Sequence, residues 1–186
     1  MTDALHLSQE ALEAALPHLR ASPPELGRLE WIVRRPRVDE REVLTEAVLD
    51  VEDGLVGDNW RARGSSKTPD RSAHPDMQLN VMNARCAALV AQGRDRWALA
   101  GDQLYIDLDL SLANLPPGTR LEVGEAVIEV TSMPHTGCKK FQARFGADAM
   151  KFVNSKAGRE LNLRGINARV VRGGVVRVGD AVRKLP

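Results

Sequence analysis

The stretch AGDQLYIDLDLSLANLPPGTRLEVGEAVIEVTSMP, residues 100–134, constrains the fold more than any other part of the chain. YIDLDL alternates apolar and polar residues, and LEV and AVIEV flank a Gly124-Glu125 turn. Alternation at period two with tight turns between the runs is the pattern of half-buried strands joined locally. No long helix can be built through it. The runs LEWIV, REVL and AVLDV between Gly27 and Val51 read the same way. The terminus GINARVVRGGVVRVGDAVRKL has two β-branched runs around Gly173-Gly174 and predicts a type I′ hairpin.

Helical spacing appears in three places. Ala11, Leu12, Ala15, Leu16 and Leu19 follow a Ser8 cap, and Pro17 and SPPEL end that piece. We read residues 1–26 as an accessory helix and linker, and residues 27–186 as the main domain. In QLNVMNARCAALVAQG, Leu79, Met82, Cys86 and Leu89 fall on one stripe with Gly93 as a stop, which predicts the best helix of the chain. Beyond Cys138, Phe141, Phe145, Met150 and Val153 predict short helices. The segment Trp60 to Pro75 has no apolar period and reads as a long surface loop. Gly-Asp recurs at Gly57-Asp58, Gly101-Asp102 and Gly179-Asp180 with different flanks, so these are turns and not a repeat. The expected class is mainly β with short helices, an α+β chain.

At 186 residues one sizeable core suffices. With 26 Lys+Arg against 25 Asp+Glu the net charge is +1, which provides no bulk footprint for nucleic acid or anionic membrane. Any anion site must be local. The start carries acids where a signal peptide carries basic residues, and no run approaches a membrane span, so the expected location is the cytoplasm. The two cysteines are then expected to be free thiols.

Cys138 follows Pro134 and Gly137 and precedes Lys139, Lys140 and Arg144. Nearby cations and the start of a following helix favour the thiolate, the form that attacks, carries sulfur or binds metal. Plain burial as a small hydrophobe is the alternative, and for Cys86, on an apolar stripe, it is the expected reading. His135 lies three residues before Cys138 but has no second ligand pair for a structural zinc site, which leaves orienting the thiol or an ordinary loop position. Arg144, Lys151, Arg164, Asn167 and Arg169 either form a solvated face or converge with Lys139 and Lys140 on an anion pocket, which Gln78, Asn80 and Asn83 would also line. No GxGxxG, Walker, GxSxG or HExxH motif is present.

GLVGDN at 54–59, QLNVMNARCAALVA, AGDQLYIDLDLS with PPGTRLEVGEAVIEVT, PHTGCKKF and RGINARVVRGGVVRVGDAV together resemble the MOSC domain, named for the C-terminal domain of molybdenum cofactor sulfurase. The resemblance spans residues 27 to 183 and is of the stand-alone bacterial type. It implies a mostly antiparallel, barrel-like MOSC β fold with short helices. It also implies that Cys138 is the family cysteine, a sulfur carrier or a thiolate ligand to the molybdenum of the cofactor (molybdopterin). His135 and Thr136 would shape the thiol environment. Lys139, Lys140, Arg144 and Arg164 would supply charge to the cofactor phosphate, with Asn167, Gln78 and Asn83 beside them. Related proteins reduce N-hydroxylated bases or amidoximes, so the alternatives are a molybdenum-dependent reductase of such small molecules and a non-catalytic carrier or partner-binding module. A domain that has lost its ligand is the third.

The partners implied are an anionic cofactor or small-molecule ligand, with an external electron donor or sulfur-donor protein. Neither nucleic acid nor membrane is implied. The chain shows no aminotransferase-like domain, so pyridoxal phosphate binding attaches to the family alone and to no residue of this chain. It shows no iron-sulfur or flavin domain, so turnover needs outside electrons. NWRARGSS after Gly57-Asp58 replaces the histidine-rich run of some bacterial members.

Overall fold

The computed structural model describes residues 6–186; the first five residues of the accessory segment lie outside them. Its backbone is a seven-stranded barrel. β1 (Leu26–Arg34) pairs with β6 (Leu104–Asp107) on one side and with β11 (Ala181–Lys184) on the other. The circuit continues from β11 through β7 (Arg120–Val123), β8 (Ala126–Val130), β9 (Ile166–Arg172) and β5 (Leu79–Asn83) back to β6. β2 (Glu42–Leu44) extends the C-terminal half of β1. Among these ladders only β5–β6 is parallel, so the barrel is mixed and mostly antiparallel. Closure leaves the barrel strands without a bare edge.

The alternation of each strand sorts its side chains between two cores. Leu79 and Val81 of β5, with Leu104 and Ile106 of β6, fill the barrel interior. Met82 and Tyr105, on the opposite face, join an outer core under the helices. In β1 the register shifts between Leu29 and Trp31, and this bulge lets Leu29 and Ile32 both reach the interior although they are three apart. A second sheet of β3 (Glu46–Asp50), β4 (Gly54–Leu55) and β10 (Gly174–Arg177) adds Ala47, Leu49, Leu55 and Val176 to the barrel core.

The helices are short and cover one flank of the barrel. α1 (Gln9–Ala14), capped by Ser8, and α2 (Leu16–Arg20) bury Leu12 and Leu19 in the outer core. α3 (Trp60–Arg63) buries Trp60, so the expected surface loop is anchored at its start. α4 (Ala84–Ala91) lies beside β5 and β6. After Cys138 come α5 (Lys139–Phe145), α6 (Ala147–Asn154) and α7 (Lys156–Glu160), as the spacing of Phe141 and Phe145 predicted; those two rings lie 4.9 Å apart. Cys86 is fully buried in α4, and burial pushes its thiol up to about 12.

Two sequence expectations are corrected. The predicted helix over 78–93 is a strand followed by a helix. Asn83 caps α4, its Oδ1 accepting from the Cys86 amide at 3.1 Å, and β5 is held between β6 and β9 before it. The predicted Gly173-Gly174 hairpin is a change of sheet. β9 pairs with β5 and β8, whereas β10 pairs with β3. Added Cβ atoms would lie 2.9 Å from Leu49 O at Gly173 and 2.8 Å from Glu125 O at Gly174, so the glycines serve close backbone approach at the crossover.

Candidate functional site

Cys138 is exposed and immediately precedes α5, and its side chain makes no capping bond. The segment leading to it is pinned from two sides. Asn167 of β9 donates from Nδ2 to Met133 O at 3.0 Å, while its Oδ1 accepts from Asn80 Nδ2 at 2.7 Å. Asn154, at the end of α6, accepts from the Gly137 amide at 3.0 Å. A Cβ on Gly137 would stand 2.8 Å from Met150 Sδ and 3.1 Å from Asn154 Nδ2, so the absence of a side chain there is what lets the segment lie against α6. Two asparagines and a glycine therefore fix where the thiol emerges.

It emerges at a cavity of about 210 Å³ lined by Arg35, Arg37, Arg41 and Arg63 from the first half of the chain and by Lys140, Arg144 and Arg164 from the second. Among the described residues Asp39 is the only carboxylate in the lining. Arg35 is compensated by Asp58, its Nη2 2.8 Å from Oδ1, and Arg164 by Asp102, its Nη1 2.7 Å from Oδ2. Arg41 donates to backbone carbonyls, 3.2 Å to Ala98 O and 2.6 Å to Glu40 O. Burial, then the charges of Arg144 and Arg35, lower the Arg41 guanidinium from its ordinary value; burial and Arg35 do the same to Arg63. Both remain cationic at neutral pH. Arg41 is half-buried and Arg63 exposed at the mouth, and cations that repel one another make a place where an anion is favoured.

Asp39 lies across the rim. Its Oδ1 accepts from Lys140 Nζ at 3.0 Å and Arg144 Nη2 at 3.2 Å, and Lys140, more than Arg144 or Arg41, holds the carboxyl below the usual range. An incoming anion competes with this internal one. Asp39→Asn is therefore expected to tighten inorganic phosphate binding by up to roughly fivefold, the scale of an exposed ion pair, as read by calorimetry. Unchanged or weaker binding would mean that Asp39 does not occupy the anion's place.

The sequence-derived candidates divide. Lys140, Arg144 and Arg164 meet Cys138 at the cavity, as does Asn80. Lys139 and Thr136 are exposed beside it without lining it. Arg169 pairs with Glu129 and Asp76, and Lys151 with Asp148, away from the thiol. Gln78 and Asn83 are buried scaffolding: Gln78 bonds Val51 O and the Val170 amide, and Asn83 bonds Ser22, Leu108 and Cys86. His135 turns away from the thiol. Its side chain is 15 % exposed, with Nδ1 3.5 Å from Asp102 Oδ1, and it lines a different cavity that also touches Asn167. Among the described residues no group of three His, Cys, Asp or Glu side chains converges to hold a metal ion.

Burial, followed by Arg164 and Arg35, lowers His135 well below 6.5, so it is neutral in the fold at neutral pH. A base whose folded pKa is depressed adds stability that is complete above its unfolded pKa and is lost as pH falls through the window beneath it. Folding stability is therefore expected to fall below about pH 6.5 more steeply in the parent than in His135→Gln. Urea unfolding at pH 7.5 and 5.5 checks this; parallel losses in both proteins would refute it.

Arg35, Arg37, Arg41 and Arg63 were not singled out in the sequence. The run RRPR at 34–37 and the charges inside WRARG were visible, but nothing local tied them to position 138.

A family model described as the MOSC domain matches residues 69–183. The chain belongs to the MOSC domain family. This family is associated with the molybdenum cofactor. Solved structures agree on the MOSC fold: the YuaD protein of Bacillus subtilis superposes with a TM-score of 0.62 at 14 % identity, covering 84 % of this chain and 94 % of that one. YiiM of Escherichia coli gives 0.54 at 21 %, covering 86 % and 70 %. YiiM of Geobacillus stearothermophilus gives 0.52 at 12 %, covering 88 % and 74 %. No curated protein matches this MOSC chain in sequence. No helix among the described residues is long and apolar enough to cross a membrane.

Proposed function

We propose that this MOSC domain binds the molybdenum cofactor, or a related anionic sulfur-containing ligand, in the basic cavity, with Cys138 as thiolate ligand or sulfur carrier. The observation that supports it is the convergence of one exposed cysteine with seven cationic side chains and a single carboxylate on one cavity. The residues suit such a group. Thiolate sulfur is a soft ligand, Arg and Lys hold phosphate, and the buried Oδ1 of Asn59, a residue of the lining, has no partner among the described residues. At about 210 Å³ the cavity is smaller than the roughly 300–1,000 Å³ of pockets that enclose a whole organic ligand, so it suits the anionic end of one.

In this reading Arg41, Arg63, Lys140 and Arg144 hold the phosphate, and Arg35 and Arg164 stiffen the walls through their carboxylate partners. Cys138 presents its sulfur at the mouth. When bound, the cofactor supplies two-electron redox chemistry, which the side chains here do not. The exposure of Cys138 also favours a second reading, a carrier that passes sulfur or cofactor to another protein, because a carried sulfur must be reachable.

Elemental and pterin analysis of protein from a cofactor-competent host, beside Cys138→Ser, tests both. Stoichiometric molybdenum and pterin lost in the variant support cofactor binding. Sulfane sulfur on Cys138 without metal supports the carrier. Neither in the parent, or loading equal in the variant, overturns the proposal. If the parent is loaded, consumption of an N-hydroxylated substrate with an added electron donor separates a reductase from a binding module.

A further inference from the structure

On the far side of Arg164 lies a second, larger cavity of about 440 Å³ that Cys138 does not line. Its volume falls in the range of small-molecule sites, about 300–1,000 Å³. Leu112, Leu115, Val130, Val153 and Ile166 give it apolar walls. No Asp or Glu lines it, and Arg159, exposed at its edge, donates to no carboxylate among the described residues. Nδ1 of His135 and Nε of Arg164 belong to lining residues but are themselves buried, and Nδ1 faces Asp102 Oδ1 at 3.5 Å, so neither atom opens into the cavity. Gly165 (φ 114°) lets the wall close here, since a Cβ would stand 2.5 Å from Val81 O and 3.1 Å from His135 Nδ1.

We propose that this cavity binds a small carboxylate with an apolar body, its charge held by Arg159 at the mouth. Apolar walls select the body, and the cationic mouth and the lack of acids in the lining select the sign of the charge. The site is independent of whatever the Cys138 cavity holds, although Arg164 forms a wall of both.

The probe is 4-hydroxybenzoate, compared with uncharged 4-hydroxybenzyl alcohol, followed by amide chemical shifts of the full chain. Saturable shifts at Val153, Gly165 and Ile166 are expected with the carboxylate, and binding about tenfold or more weaker with the alcohol. Arg159→Glu should weaken the carboxylate by a similar factor of about ten, and Ser132→Trp, which puts an indole at an exposed lining position, should abolish the shifts. Neither position lines the Cys138 cavity, so inorganic phosphate should still shift the amides of Arg41 and Lys140 in both variants. Absent saturation, equal affinity for the alcohol, or shifts that survive Ser132→Trp in a protein that still binds phosphate would overturn the proposal.

Discussion

Arg35→Ala is expected to cost about 3–5 kcal/mol of folding stability, the scale for leaving one member of a buried ion pair alone. Arg35 is 6 % exposed and Asp58 not at all, and three bonds join them: the Arg35 amide and Nε to Oδ2, both 2.9 Å, and Nη2 to Oδ1 at 2.8 Å. The same guanidinium reaches Asn80 Oδ1 at 3.0 Å and Gly101 O at 2.9 Å, which ties the segment just after β1 to β5 and to the turn before β6. Alanine strands the Asp58 carboxylate and frees both. For a chain of this length the melting point should drop by roughly 6–20 °C. Arg35→Met combined with Asp58→Leu should lose less than Arg35→Ala, because no charge is left unpaired. Urea unfolding with unchanged slope reads the difference. A cost for Arg35→Ala below about 1 kcal/mol would show that the pair behaves as a hydrated surface contact.

Arg35 also marks where the sequence stops being legible. The β7–β8 hairpin could be read because its turn, Gly124-Glu125, lies between the strands it joins, Val123 opposite Ala126. The Gly173-Gly174 turn could not, because pairing β10 with β3 is decided by residues more than a hundred positions away. Leu79, Met82 and Cys86 imitate a helical stripe, yet Leu79 and Met82 belong to different cores, and the alternation of Leu79 and Val81 with Asn80 was the better signal. The cysteine and its following cations were readable since they are adjacent in sequence. The arginines across the cavity come from the segment after β1 and from α3, and only barrel closure sets them opposite Cys138. Gln78 and Asn83 failed as site residues for a general reason. An amide at a strand end serves equally to satisfy buried backbone groups or to meet a ligand, and its sequence neighbours do not say which.

Arg164→Ala is expected to be comparably damaging, with a cost that depends on pH. Asp102 is fully buried, and burial raises its carboxyl from the ordinary value while Arg164, the strongest opposing influence, pulls it back. Without the guanidinium the folded-state value rises further. An acid whose folded pKa lies above its unfolded one favours the fold below the unfolded value and loses that advantage as pH rises. The loss should therefore be largest at neutral pH, about 3–5 kcal/mol, and shrink as pH falls through about 4, below which the carboxyl is neutral in both states. What remains there is the contact of Arg164 over Phe141, 5.0 Å from the ring centre, and its bond to Ala100 O at 2.9 Å. His135 should respond too. Arg164 is one of the charges that depress it, and its Nδ1 stands 3.5 Å from Asp102 Oδ1, so in the variant its pKa should move up. Adding Asp102→Asn should remove the pH dependence of the loss and leave in the histidine only the shift due to the missing Arg164 charge. A loss that is flat from pH 7.5 to 4.5, with His135 unmoved in a proton NMR titration, would mean that Asp102 is held by other groups and that Arg164 contributes packing alone.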